Sequence, residues 1–408
     1  MIQMKIGVIG GGAAGMMAAI TAAEAGAQVT LLEGGDRVGK KILATGNGKC
    51  NLGNLKLCAE DYNGAEKEWM RECITQFDTQ ATILFFRRLG LMIRERNGYL
   101  YPLAEQASVV LDVLRTGLRT SGVRVITDCK VNDVSVKNGG GFVVKTGDST
   151  FCFDRVILAC GSKASPKTGS DGSGYKIAKR LGHRIVPVVP ALVQLRCREA
   201  WFKEIAGVRA DACLRVLGTS DKIEERGELQ LTEYGISGIP VFQLSRKVNY
   251  IQAGNRDDVK VVIDFLPDYD RKTLEDLLKD RMKNGSGQTV EEFFTGMLNK
   301  KLMFLFIRLA GLKRGAPFSA YEEAQLRKVY ELCKEFTVHV TGSNSFENAQ
   351  VCAGGVDTAQ VGTDMETLLV PGLFFAGELL DVDGRCGGYN LQWAWCSGYL
   401  AGKNAAKI

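Results

Sequence analysis

The chain has 408 residues, 45% of them hydrophobic and 24% charged, and 52 Lys and Arg against 46 Asp and Glu leave a formal net charge of +6. That balance excludes a disordered or fibrous class, and at about 100–200 residues per domain the length predicts two or three domains. The 48 glycines exceed the usual share of about 7% and gather in short loops rather than scattering as in a low-complexity chain.

Basic residues adjoin one another only in pairs such as Lys40-Lys41, Arg87-Arg88 and Lys300-Lys301. With no basic tract, no nucleic-acid partner is expected. None of the cysteines has CxxC spacing, and His183 and His339 stand far apart, so no metal site is expected. Scattered thiols without a secretion signal predict a cytoplasmic protein. The apolar N-terminal run passes into Gly10-Gly11-Gly12 with no cleavage site after it. The most apolar later stretch, Leu302 to Ile307, is far short of the roughly 20 residues a membrane helix needs.

Residues 5–9 read as a buried parallel strand, 13–25 as a helix ending at Gly26, and 28–32 as a second strand. Between strand and helix stands Gly10-x-Gly12-x-x-Gly15. Gly10 permits the tight turn, Gly12 lets a pyrophosphate approach the backbone, and Gly15 lets helix and strand pack closely. Glu33, at the end of the second strand, can accept hydrogen bonds from the ribose of an adenosine. The motif predicts a dinucleotide without separating NAD from FAD.

A polar, Gly-rich loop is expected from Gly34 to Asn54. Within it, Thr45-Gly46-Asn47-Gly48-Lys49-Cys50-Asn51 would bring backbone amides close to a flat ligand, with Lys49 offsetting charge on a reduced flavin. Helices follow near 65–76, 79–89 and 106–120, then strands near 123–126, 130–136, 142–146 and 155–159. Gly169-Ser-Asp-Gly172-Ser-Gly174 does not follow directly on a strand and reads as a helix cap beside the first site. His183 reads as a helix C-terminal cap and His339 as a strand residue.

From Pro187 and Pro190 to about 265 short strands are expected, with a turn at Gly218–Asp221. From Pro267 to about 335 the pattern is helical, with Leu274, Leu277, Leu278 and Met282 at helical spacing and Phe304-Leu305-Phe306 as helical core. Residues 336–341 read as a strand returning from this excursion. Strand 373–376 precedes Gly377-Glu378, and the loop Asp381–Asn390 leads into a helix from about 389 to 405. Glu378 could hold ribityl hydroxyls, and Gly387-Gly388 would bring a second positive helix end to the ligand. Arg385 and Tyr389 are the candidate catalytic residues, to bind or protonate a substrate.

These segments resemble the BaiN-like family of NAD(P)/FAD-dependent oxidoreductases, also described as aminoacetone oxidases. The resemblance lies in Ile9–Gly15, Lys41–Asn51, Tyr234-Gly-Ile-Ser-Gly238, Ala376–Gly384 and Gly387–Gln392, with Ala353-Gly-Gly355 also matching. The chain departs from it at Cys160-Gly-Ser-Lys-Ala-Ser-Pro166, where similar proteins more often read Thr-Gly-Gly and carry a Tyr before the Pro. The resemblance implies an α/β fold: a Rossmann-type FAD-binding domain, residues 1–190 and 346–408, interrupted by an inserted β-barrel, 191–266 and 336–345, and a helical subdomain, 267–335.

The expected FAD residues are Gly10, Gly12, Ala13, Ala14, Gly15, Glu33, Gly34, Lys41, Thr45, Gly46, Gly48, Lys49, Cys50, Asn51, Val131, Cys160, Gly161, Gly377, Glu378, Gly388, Tyr389, Asn390 and Leu391. The expected reaction is hydride transfer from NAD(P)H to the flavin and from flavin N5 to the β-carbon of an enone or similar small hydrophobic substrate. With no second Rossmann fingerprint, nicotinamide and substrate are expected to use one flavin face in turn. The alternatives are a FAD oxidase of small amines using dioxygen, and a non-enzymatic flavin-bound binding module.

Overall fold

The computed structural model describes residues 3–218, 223–254 and 259–407. The turn expected at Gly218–Asp221 therefore lies, beyond Gly218, outside the described residues. The chain divides into two compact units, Met1–Val189 with Phe346–Ile408, and Pro190–Ser345.

The first unit is built on five parallel strands in the order Leu373–Phe375, Arg155–Leu158, Lys5–Ile9, Gln28–Leu32, Arg124–Ile126. Ile6, Val8, Val156, Ile157, Leu158, Phe374 and Phe375 are all fully buried. Continuous apolar runs of this kind suit strands covered on both faces. The helix Ala13–Glu24 follows the first strand, and Gly26 takes a left-handed φ of 95° just past its end.

The helix Tyr389–Ala405 packs on Ala13–Glu24 with almost no gap. A Cβ at Gly398 would stand 2.4 Å from the Ala14 carbonyl oxygen, and one at Gly402 would stand 2.4 Å from that of Ala18. Because 398 meets 14 and 402 meets 18, the two helices run in the same direction. At 1.5 Å per residue, the start of the C-terminal helix then lies about 13 Å beyond the level of Ala14.

Three other features differ from the sequence reading. Lys40–Gly48, expected as loop, forms tight helical turns broken at Thr45, Gly46 and Asn47, the latter two left-handed. Residues 93–102, unassigned from sequence, form a hairpin of Ile93–Arg96 and Tyr99–Pro102 around Asn97-Gly98, with φ of 55° and 90°. Those angles are what a two-residue turn between twisted strands demands, and Asn-Gly satisfies them best. The third lies in the second unit, where Ile239–Ala253 is a helix in a region read as strands.

The second unit holds a closed barrel of six strands, in the order Leu195–Cys197, Gly235–Gly238, Glu224–Thr232, Arg209–Val216, Val259–Asp264, Phe336–Ser343. The helices Arg271–Asn284, Val290–Phe294, Lys300–Leu309 and Glu323–Lys334 lie between its last two strands in sequence. Leu305 and Phe306 are core, as expected, while Arg314 stacks over the Phe304 ring at 4.0 Å. Among the described residues no helix is long and apolar enough to cross a membrane.

Candidate active site

Four of the predicted ligand segments stand at the carboxyl ends of adjacent parallel strands: Gly10 after Ile9, Glu33 after Leu32, Cys160-Gly161 after Leu158, and Gly377-Glu378 after Phe375. This is where an open α/β sheet leaves a crevice for ligands. Gly10 has a φ of 104°, and a Cβ at Gly15 would sit 1.8 Å from the Gly10 carbonyl oxygen, so both glycines are needed for the turn itself. Gly12 is different: a Cβ there would meet nothing within 4 Å. Its amide and those of Ala13 and Ala14 open a helix that no side chain among the described residues caps, the place where a helix offers donors to a phosphate.

The Glu33 carboxylate accepts from the backbone amides of Gly11 and Gly35, each at 2.7 Å. It therefore holds the Gly10–Gly15 turn in place, and any ribose contact must use its remaining lone pairs. Val131 is brought alongside, because the Cys129 amide donates to the Glu33 carbonyl and Lys130 packs on Gly34.

Lys41 and Glu378 meet at 2.6 Å although 337 residues separate them. Ser162, fully buried, donates to the same carboxylate oxygen at 3.1 Å. Ser162 was not singled out from sequence. The signal lay in the departure itself, since this hydroxyl occupies part of the segment where similar proteins more often carry Thr-Gly-Gly. Where those proteins carry a Tyr before the Pro, Ser165 is left-handed and bonds the Ala349 carbonyl.

In the second loop, Thr45 donates to the Ile42 carbonyl, and the Cys50 amide donates to Thr45. Gly46, Gly48 and Cys50 all have positive φ. Cys50 is fully buried, and burial pushes its thiol up to about 12. A thiol held neutral there does not act as a redox thiolate at neutral pH. Burial raises Cys160 in the same way, to about 12, with Asp171 and Glu33 adding to it. The Lys49 ammonium pairs with Glu105 at 2.8 Å. Asn51 Oδ1 is buried and finds no hydrogen-bond partner among the described residues. It lies 2.7 Å from where a Cβ at Gly388 would stand.

Gly388, left-handed with φ 95°, opens the C-terminal helix, again with no side-chain cap. Asn390 closes the preceding loop: its side chain accepts from the Gly384 amide and donates to the Gly384 carbonyl, both at 2.8 Å. Asn390 and, behind it, the half-buried Leu391 thus shape the loop. Tyr389 is buried, edge-on to Tyr62, whose hydroxyl donates to the Tyr389 carbonyl at 2.9 Å. Burial, with nearby Asp61 and Tyr99, raises the Tyr389 phenol to about 12. Arg385 is exposed, on the same loop.

Gly172 and Asp171 cap the helix Ser173–Arg180, and Gly169 stands near Glu33, as expected. Buried His183 bonds the Ala178 carbonyl at that helix's end. His339 pairs with Glu199 in the barrel unit.

The arrangement fits a dinucleotide bearing a flat ring system. Open space lies over Gly12, the buried Asn51 Oδ1 lacks a partner, and two uncapped helix starts are offset along one direction.

Comparison with known proteins accords with this geometry. Residues 4–404 match the family described as HI0933-like protein Rossmann domain. The chain is 45% identical over 408 residues to the 3-dehydro-bile acid delta(4,6)-reductase of Clostridium scindens, covering 99% of each chain. It is 29% identical over 402 residues to the ribosomal RNA dihydrouridine synthase of Escherichia coli, covering 97% of this chain and 96% of that one. Its fold is similar to that of 3-ketosteroid-delta4-(5alpha)-dehydrogenase from Rhodococcus jostii, with a TM-score of 0.52 at 16% identity over 100% of this chain and 97% of that one.

Proposed function

The chain belongs to the HI0933-like Rossmann family of FAD-binding proteins, and from that premise we propose that it reduces the activated C=C bond of a steroid-like enone with hydride from NADH or NADPH. It is a FAD-dependent oxidoreductase. The observation that carries the finer reading is 45% identity across 99% of both chains with a named reductase.

FAD, when bound, supplies the hydride chemistry; the protein supplies position and electrostatics. The amides of Gly12, Ala13 and Ala14 bind the pyrophosphate. Glu378, held by Lys41 and Ser162, and Asn51 bind hydroxyl and amide groups further along. The start of the C-terminal helix at Gly388 favours negative charge on the ring system. Tyr389 keeps its phenolic proton throughout the physiological range and donates it at the α-carbon of the substrate. Arg385, exposed on the same loop, orients the substrate's polar end.

The test is anaerobic addition of NADH or NADPH to the yellow protein, followed by a steroid enone. Rapid bleaching, then reoxidation by the enone with parallel lines in a two-substrate rate study, is the expected result. Persistent flavin bands with peroxide release on amine addition would replace this reading with the amine oxidase. A second reading, action on ribosomal RNA, draws on the Escherichia coli relative at 29% identity. Reoxidation of the bleached protein by ribosomal RNA and not by enones would favour it.

A further inference from the structure

Beside the candidate active site, within the first unit, lies a cavity of about 220 Å³ lined by Lys49, Arg96, Asn97, Tyr99, Tyr101 and Glu105. None of these except Lys49 entered the sequence reading, and the mechanism above uses none of them. The cavity adjoins the reaction loop through one side chain. The Tyr99 ring lines it and also stands 2.7 Å from where a Cβ at Gly387 would be, two residues from Tyr389. Lys49, which also lines it, is flanked by Gly48 and Cys50 of the second ligand loop.

Its charge is lopsided. Glu105 pairs with Lys49 at 2.8 Å and with Arg94 at 3.5 Å, so one carboxylate is shared by two cations. No described carboxylate pairs with the Arg96 guanidinium, which stands at the tip of the Asn97-Gly98 hairpin. A guanidinium that reaches Glu105 only through space and closes no ion pair with it, a lysine sharing its counter-ion, and two phenols make a wall suited to a planar or tetrahedral oxyanion. The position is held at a cost: Glu105 is left-handed, with φ 50°, as is Cys50 next to Lys49, with φ 58°.

We propose that this cavity receives the anionic oxygen group, carboxylate or phosphate, at the far end of a small-molecule substrate whose reducible end lies at the Gly387–Tyr389 loop. Arg96 is its principal partner, and Lys49 turns part of its charge from Glu105 to the incoming anion. The proposal deepens the enone-reductase reading and rests on it for the identity of the reducible end, but not for the anion site.

The test is calorimetric titration of the FAD-loaded protein, without nicotinamide, using 3-oxo-4-cholenic acid, its methyl ester and inorganic phosphate. The acid should bind about tenfold or more tightly than the ester, the range for a charge-assisted hydrogen bond. Arg96→Met should erase that difference, Arg96→Lys should restore part of it, and the retained flavin spectrum and melting temperature show that both variants fold. Phosphate that binds more tightly than the acid, and loses its binding in Arg96→Met, would make phosphate the natural group. Equal binding of acid and ester, with no phosphate binding, overturns the proposal. If neither steroid binds but phosphate does, in an Arg96-dependent way, the cavity stands and the steroid-enone reading falls. Silence from all three probes sinks the cavity. Arg96-dependent capture of ribosomal RNA with the small probes silent would also overturn it, in favour of a nucleic-acid backbone.

Discussion

Tyr389 is the side chain on which the proposed chemistry most depends. Its phenol is raised to about 12, first by burial and then by Asp61 and Tyr99. The proton-bearing form thus dominates well below that value, so Tyr389 contributes no fall in rate between pH 6 and 9. Tyr389→Phe should lower the enone half-reaction by about 10²-fold or more, the usual range for removing a general acid. Bleaching by NAD(P)H should survive in the same variant, because that step needs no proton from the phenol. Stopped-flow absorbance separates the two, and equal losses in both would mean that the ring serves packing instead. The turn glycines were legible in the sequence because each needs a backbone that no other residue tolerates. Ser162 and Asn51 were less so. A hydroxyl or amide acquires its meaning only from what the fold sets opposite it, here Glu378 for one and an open site for the other.

Between elements, a close and extensive contact joins the first and last helices of the first unit. Gly398 and Gly402 are one helical turn apart and let the backbones touch at Ala14 and Ala18. Replacing Gly402 by Val would force a side chain into a carbonyl, and overpacking of this kind costs about 1–3 kcal/mol. A lowered denaturation midpoint is expected, together with faster loss of FAD, because pushing the C-terminal helix off Ala18 also loosens its contact one turn earlier at Ala14, which is part of the phosphate turn. Unchanged FAD retention in a destabilised Gly402→Val would show that the turn is held by Glu33 alone.

The elements that sequence reading missed have a common cause. Ile239–Ala253 is rich in β-branched and aromatic residues, which read as strand. Yet Val241, Leu244, Ser245, Val248 and Asn249 are buried at helical spacing. Tertiary context overrode propensity there. The Asn97-Gly98 hairpin carried a usable local signal, but its first strand, Ile93–Arg96, is too charged to announce itself by alternation and its second, Tyr99–Pro102, is too short.

At the scale of the molecule, the described residues form two hydrophobic cores, both holding buried free thiols, Cys50 among them in one and Cys333 in the other. Burial raises both from 9.0 to about 12. Between those values the unfolded chain releases protons that the folded chain keeps, so stability is full below pH 9 and falls as pH rises above it. Each such thiol contributes a slope of about 1.4 kcal/mol per pH unit in that window. Denaturant melts between pH 8 and 11 should show the fall, and Cys333→Ala should make it shallower; an unchanged slope would count against the assignment. The α/β class and the first strand-turn-helix-strand were readable from periodicity and Gly10–Gly15. The order of the five strands and the closure of the barrel were not, because buried strands carry no local mark of which neighbour they will meet.

The sheet that forms the candidate site draws on both arms of the chain, Met1–Val189 and Phe346–Ile408, with the whole barrel unit between them. A ribosome delivers these arms in sequence, at about 5–20 residues per second. The strand Leu373–Phe375 and the helix from Tyr389 therefore emerge only after the barrel unit has been made. Until then the nascent chain presents a phosphate turn with its neighbouring strand and packing helix missing. Loading of FAD consequently waits until the second arm has been made, and the barrel unit is free to fold first.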